Sequence, residues 1–149
     1  MSTLDRDCQL RVGRKAPKTP KYPVIDCHTH FGRLFGAMIN DSNYFDRYET
    51  RETVEKIKSY GVRKVVNLDG GFGEEALRMM EKVRGFEDFI LPFGQVDVER
   101  FEEPEFEHEV YQTVKRHHEN GFKGLKFWKI IGLGLRDREG RFLRPDDER

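Results

Sequence analysis

The sequence contains little of what several classes of protein require. Hydrophobic residues make up only 36% of the 149-residue chain and its mean hydropathy is −0.78, which is lean for a globular domain. No stretch approaches the roughly 20 apolar residues that cross a bilayer, and the first ten residues, MSTLDRDCQL, contain no apolar segment of a signal peptide. We therefore expect a cytoplasmic protein that does not enter a membrane.

Net charge and cysteine are also scarce. The 27 basic and 27 acidic residues cancel, which removes the general electrostatic attraction to nucleic acid. The one basic cluster, residues 11–21 (RVGRKAPKTPK), lies in a segment without apolar periodicity. We expect residues 1–22 to form a solvated N-terminal arm, with a weak polyanion contact as the alternative. Two cysteines, Cys8 and Cys27, cannot build a disulfide framework and are expected to stay reduced.

Short β-branched or aromatic runs alternate with amphipathic stretches along the rest of the chain. The runs predict strands over residues 24–30, 62–68, 89–96 and 122–129. The stretches between them predict a helix capped by Thr50 and ending near Tyr60, a second over residues 74–84, and a third that opens at Pro104 and ends at Asn120. Residues 31–49 and the chain after Ile130 are predicted to be loops.

This alternation predicts the fold class. Crossovers of this length are typical of parallel βα units wound in one direction. A complete eight-unit barrel needs about 250 residues, whereas the four units here occupy residues 23–149. The prediction is therefore an α/β domain of parallel βα units that form the first half of a TIM-type (β/α)8 barrel.

Alternation along the predicted strands gives each one an apolar face under the helices and a second face that becomes polar toward its carboxyl end. The predicted polar faces carry Asp26, His28, His30, Asn67, Asp69, Gln95, Asp97, Lys126 and Trp128. In a parallel barrel these faces point inward and catalytic groups gather at the carboxyl rim. Three further histidines, His108, His117 and His118, fall on the third predicted helix and are expected at the surface, outside the barrel.

The segment VIDCHTH, residues 24–30, contains the clearest chemical motif. His28 and His30 are two residues apart on one strand face, which places their Cα atoms about 6.5–7 Å apart. Two imidazoles at that spacing reach one zinc ion at about 2.0–2.1 Å each. Asp26 precedes them on the same predicted face, where it either orients an imidazole or serves as a structural group deeper in the barrel.

Two segments resemble one enzyme superfamily. VIDCHTHFG, residues 24–32, resembles the opening strand of the amidohydrolase superfamily, in particular the amidohydrolase-related branch of hydrolases and metal-dependent decarboxylases. GFKGLKFWK, residues 121–129, with the following residues 131–149, is similar to the fourth strand and next loop of that branch. The resemblance implies one or two divalent metals, commonly zinc, held in part by His28 and His30, and a small-molecule substrate.

The resemblance also implies a reaction. Metal-activated water would attack a carbonyl-type carbon, or the metal would assist decarboxylation. A lysine at the end of the fourth strand bridges two metals in some relatives of that kind. Lys126 faces the better way and Lys129 lies nearer the strand end, and the motif does not choose between them. The alternative for Lys126 is a charged lining residue, ion-paired with Asp26, Asp69 or Asp97.

Other interpretations remain open. The superfamily's remaining ligands lie on its fifth, sixth and eighth strands, beyond the four units predicted here, so we expect the isolated chain to be inactive. One alternative is a non-catalytic half-barrel that self-associates or binds a partner, such as a missing C-terminal half, through its open edge. The other is a metal-dependent phosphoesterase, because families of that kind also begin with Asp-x-His-x-His.

Overall fold

A computed structural model of the chain describes residues 20–32, 36, 39–41 and 44–147. Most of the predicted N-terminal arm, residues 1–19, lies outside the described residues. The described elements run in the order β1 (Val24–Thr29), α1 (Tyr44–Arg47), α2 (Thr50–Ser59), β2 (Val62–Asn67), α3 (Gly73–Val83), β3 (Ile90–Gly94), a 3-10 turn (Val98–Arg100), α4 (Phe106–Glu119), β4 (Gly124–Leu125) and a short helical turn α5 (Ile130–Leu133). Among these helices, none is long and apolar enough to cross a membrane.

The four strands form one parallel sheet in the order β1-β2-β3-β4. This confirms the predicted α/β class and the sequential addition of parallel strands. The sheet is curled into a half-barrel. One consequence of the curl is that Trp128, three residues past β4, contacts His30, which directly follows β1 at the opposite edge. The curl therefore brings the carboxyl ends of the two outer strands together.

The hydrophobic core lies between the sheet and helices α2 and α3. Val54 on α2, Val65 on β2, and Met79 and Val83 on α3 are each at most 1% exposed. Phe45 on α1 joins the same cluster. Full burial of a side chain of this kind stabilises a fold by about 1.5–3 kcal/mol, so this cluster fixes β2 against its helices and gives the carboxyl end of the sheet a rigid support.

Several boundaries differ from the sequence prediction. Helix α1 interrupts the predicted loop over residues 31–49, Thr50 is the first residue of α2 with Glu49 at its N-cap, and α4 begins at Phe106 instead of Pro104. The fourth strand pairs only over Gly124–Leu125, although the backbone N–H of Lys126 still donates to the Gly94 carbonyl at 2.8 Å.

The predicted loop after Ile130 is partly ordered by its own contacts. Arg136 and Phe142 form an antiparallel bridge, and Leu143 is only 8% exposed. Asp137 is buried and accepts hydrogen bonds from the main chain and the guanidinium of Arg141. The prediction of a polar loop was therefore wrong in part, because the apolar side chain of Leu143 and the buried carboxylate of Asp137 close the segment into a compact turn.

Candidate metal centre

Strand β1 contains a bulge in the middle of the VIDCHTH motif. Asp26 pairs with Val65 and Thr29 pairs with Asn67, so three steps along β1 match two steps along β2. One extra residue reverses the alternation of side chains between the two sides of a strand. The prediction that simple alternation holds throughout β1 was wrong for this reason.

The two histidine rings nevertheless lie side by side. The ring centroids of His28 and His30 are 5.2 Å apart and their planes meet at 65°. His28 is exposed, whereas His30 is half-buried. The Nδ1 atom of His30 is fully buried and has no hydrogen-bond partner among the described residues. A buried ring nitrogen without a partner is costly unless another group binds there.

Trp128 and Lys126 complete the group around His30. The indole of Trp128 stacks on the imidazole of His30 with centroids 5.6 Å apart and planes inclined by 22°. The Nζ atom of Lys126 lies 5.6 Å from the centroid of the same indole. Lys129 is exposed and lines the neighbouring cavity. The structure thus brings together His28, His30, Lys126 and Trp128, which the sequence had placed on two separate strands.

Asp26 contacts the main chain of the motif. Its Oδ1 atom accepts a hydrogen bond from the backbone N–H of His28 at 3.0 Å. The side chain is exposed, and its strand partner Val65 belongs to the helix-facing core. Asp26 therefore stabilises the bulge by fixing the main-chain conformation at His28.

Strand β2 presents the opposite face from the one predicted. Val65 packs in the core with Val54 and Met79, and the Nδ2 atom of Asn67 donates to the Met79 sulfur at 3.2 Å. Both side chains therefore point to the helices, so the prediction of Asn67 on the inner polar face was wrong. The cause is that both faces of β2 carry apolar side chains, Val65 on one and Val66 and Leu68 on the other, so hydrophobicity alone does not decide which face the helices cover.

The exposure of β1 also differs from the sequence prediction. Ile25 is 61% exposed and Cys27 is also exposed, so the predicted covered apolar face of this strand is wrong. Strand β1 is an edge strand with β2 as its described neighbour. The described helices pack over β2 and β3, which leaves both sides of β1 accessible.

His117 was predicted at the surface and is instead 5% exposed. Its Nε2–H donates to the main-chain carbonyl of Gln95 at 2.8 Å, and its ring lies 4.5 Å from that of Phe122. His108 and His118 are exposed, as predicted. His117 therefore holds α4 against β3 and lies on the helix side of the sheet.

The spacing of the two histidine rings is compatible with a shared zinc ion. Zinc bonds of about 2.0–2.1 Å from two imidazoles are compatible with ring centroids roughly 5 Å apart, and the measured value is 5.2 Å. The Nδ1 atom of His30, which is buried and has no hydrogen-bond partner among the described residues, is also compatible with a bound metal ion. Among the described residues there is no group of three or more His, Cys, Asp or Glu side chains that could hold a metal ion. The described part of the chain therefore brings together two histidines as candidate ligands.

A cavity of about 560 Å³ opens beside this group. Lys126, Trp128 and Lys129 line one side, and Val98 and Leu143 are among the residues on the others. Its volume lies within the usual range of small-molecule sites, about 300–1,000 Å³. The walls are mainly apolar, with cationic groups from Lys126, Lys129 and Arg144 and one carboxylate from Asp147, which suits a small organic molecule.

Comparisons with known proteins returned no relative: no family model, no curated protein and no solved structure matches this chain.

Proposed function

We propose that this chain is the N-terminal portion of a metal-dependent enzyme of amidohydrolase type, folded as the first half of a TIM-type barrel. The observation that carries the proposal is the contact between His28 and His30 at the carboxyl end of β1, with a buried Nδ1 atom on His30 that has no partner among the described residues. The four parallel strands and the resemblance of residues 24–32 and 121–149 to that superfamily support it.

Each residue of the group has a distinct role in this proposal. His28 and His30 hold a divalent metal, most simply zinc, and Trp128 keeps the imidazole of His30 in place by stacking on it. Lys126 supplies a positive charge beside the indole, suited to orienting an anionic or carbonyl group of a small-molecule substrate in the adjoining cavity. A metal bound there would lower the pKa of a coordinated water toward neutrality.

The proposal covers two reaction types. Both hydrolysis and metal-assisted decarboxylation use the first-strand histidines, and neither is favoured by the described residues. Catalytic zinc sites typically have three protein ligands, and the described residues bring two histidines together. We therefore propose that the chain alone binds metal without turning over substrate.

Metal analysis tests the proposal. After zinc loading and gel filtration, the wild-type chain is expected to retain zinc and His28→Ala to retain substantially less. His118→Ala is the matched control, because His118 is an exposed histidine on α4, on the helix side of the sheet. Equal zinc content in the wild type, His28→Ala and His118→Ala would show that the histidine pair is not the site.

A second candidate function is association through the outer edge of β1, which pairs with no second strand among the described residues. The 61% exposure of Ile25 on the edge strand β1 favours it, because unpaired strands with exposed apolar side chains pair with other chains. We propose that a second copy or a separate half-barrel occupies this edge. Light scattering after size exclusion should show a dimer that Ile25→Lys weakens and the control Tyr60→Lys, at an exposed residue after α2, does not. A monomeric wild type excludes self-association.

A further inference from the structure

We propose that Asn67 is a positioning residue for the histidine pair: its buried amide fixes the main chain directly after His30. This inference rests on the proposed function, since it assumes that His30 binds metal. The sequence placed Asn67 on the inner polar face, whereas the structure buries it on the helix side, with hydrogen bonds to the main chain of Phe31 and Asp69 and to the Met79 sulfur.

The contacts of Asn67 join the ends of two strands. Its Oδ1 atom accepts a hydrogen bond from the backbone N–H of Phe31 at 3.0 Å and another from that of Asp69 at 3.2 Å. Its Nδ2 atom donates to the Met79 sulfur at 3.2 Å. The residue is 0% exposed. One amide therefore ties the segment after β1, the segment after β2 and helix α3 to each other.

These hydrogen bonds restrict the backbone at the ligand itself. Phe31 follows His30 in the chain and is only 7% exposed, so water does not readily replace Asn67 as the acceptor for its N–H. The next residue, Gly32, is packed so tightly that an added Cβ atom would lie 2.4 Å from the Asp69 carbonyl oxygen. The two hydrogen bonds to Asn67 Oδ1 are called the Asn67 clamp below. Together with the tight packing of Gly32, they leave the main chain after His30 little freedom to move.

The side chain required here is an amide. An apolar side chain of the same size, such as leucine, would leave the N–H groups of Phe31 and Asp69 without their acceptor. Without that clamp, the imidazole of His30 would lose its fixed approach to the ion. Partners that orient metal ligands typically change metal affinity by about 10–100-fold when they are removed.

Zinc affinity of the full chain, measured by competition with a chromophoric chelator, tests the inference. Asn67→Leu is expected to weaken zinc binding by about ten-fold or more. Two controls separate positioning from stability. Met79→Leu removes the sulfur that accepts from Asn67 Nδ2, and Val65→Ala destabilises the same strand from the core. Neither change removes the hydrogen bonds that Oδ1 accepts from Phe31 and Asp69, so both variants should keep close to the wild-type affinity.

The outcomes are distinguishable. A wild-type chain that binds no zinc overturns the proposed function and this inference together. Zinc binding by the wild type and equally by Asn67→Leu overturns the inference alone. Equal weakening in Asn67→Leu and Val65→Ala also overturns it, because the effect would then follow stability instead of position.

A measurement on the wild type covers the case in which Asn67→Leu does not fold. Amide hydrogen exchange should be slow at Phe31 and Asp69, whose N–H groups donate to the buried amide, and zinc should slow the exchange at Phe31 further. Unchanged exchange at Phe31 when zinc is bound would show that the clamp and the ligand are not coupled.

Discussion

The indole of Trp128 stacks on the imidazole of His30, with ring centroids 5.6 Å apart. This contact joins the carboxyl ends of β4 and β1, the two outer strands of the described sheet. Trp128 is also the single tryptophan in the sequence. The tryptophan fluorescence of the protein therefore comes from a side chain in contact with His30, the proposed metal ligand.

The first prediction uses this reporter. Cobalt(II), a paramagnetic substitute for zinc, should quench the fluorescence of Trp128 in a saturable way when it binds at His30. His30→Ala should abolish the saturable phase, whereas His118→Ala, which changes an exposed histidine on α4, should keep it. Identical quenching curves for His30→Ala and the wild type would place the bound metal elsewhere.

The second prediction concerns the contact between β3 and α4. A Cβ atom added at Gly94 would lie 2.6 Å from the Cδ2 and Nε2 atoms of His117, a ring already fixed by its hydrogen bond to Gln95. Gly94→Ala should therefore lower the free energy of unfolding by about 1–3 kcal/mol, as overpacking does.

A double-mutant cycle checks the cause. Combined with His117→Ala, which removes the ring, Gly94→Ala should cost much less than it does alone. Chemical denaturation of the four chains measures this difference. Additive effects of the two substitutions would mean that the ring and the glycine do not compete for the same space.

His117 also shows what the sequence could have predicted. Phe106, Val110 and Val114 recur every four residues, which predicts that they form the covered stripe of the helix, yet Val114 is 36% exposed. A helix turns once every 3.6 residues, so the stripe that begins at Phe106 and Val110 continues at residues 113 and 117. Helical spacing alone could have placed His117 against the sheet, but all three histidines of this helix were predicted at the surface because the helix packs outside the barrel.

The β1–β2 pair was less accessible to sequence reasoning. The order of strands and the contact of His28 with His30 followed from βα alternation and from their two-residue spacing. The bulge between Asp26 and Thr29 and the burial of Asn67 did not follow, because both depend on how β1 pairs with β2 and on the contact of Asn67 with Met79. A bulge inserts one extra residue and disrupts the alternation locally, and neither the bulge nor these tertiary contacts can be read from local hydrophobic periodicity.

The third prediction concerns alkaline pH. Burial is the main cause that raises the pKa of Tyr48 above its ordinary value, and the neighbouring Tyr44 raises it further. A raised pKa in the folded state means that folding favours the neutral phenol. The resulting stability is complete below the unfolded-state value of about 10 and is lost progressively as the pH rises above it.

Thermal unfolding between about pH 8 and about pH 11 measures this loss. Tyr48→Phe cannot ionise at this position and should lose less stability over that range than the wild type does. Tyr60→Phe, at a tyrosine that is 58% exposed, is the control and should follow the wild type. Parallel curves for Tyr48→Phe and the wild type would refute the role of Tyr48.

The central claim is that His28 and His30 bind one metal ion together, and calorimetric titration of zinc into the purified chain tests it most directly. The wild type is expected to bind about one zinc ion per chain in a saturable way. The His28→Ala/His30→Ala double variant should lose that binding and His118→Ala should retain it. An unchanged isotherm in the double variant, or no saturable binding by the wild type, would contradict the claim.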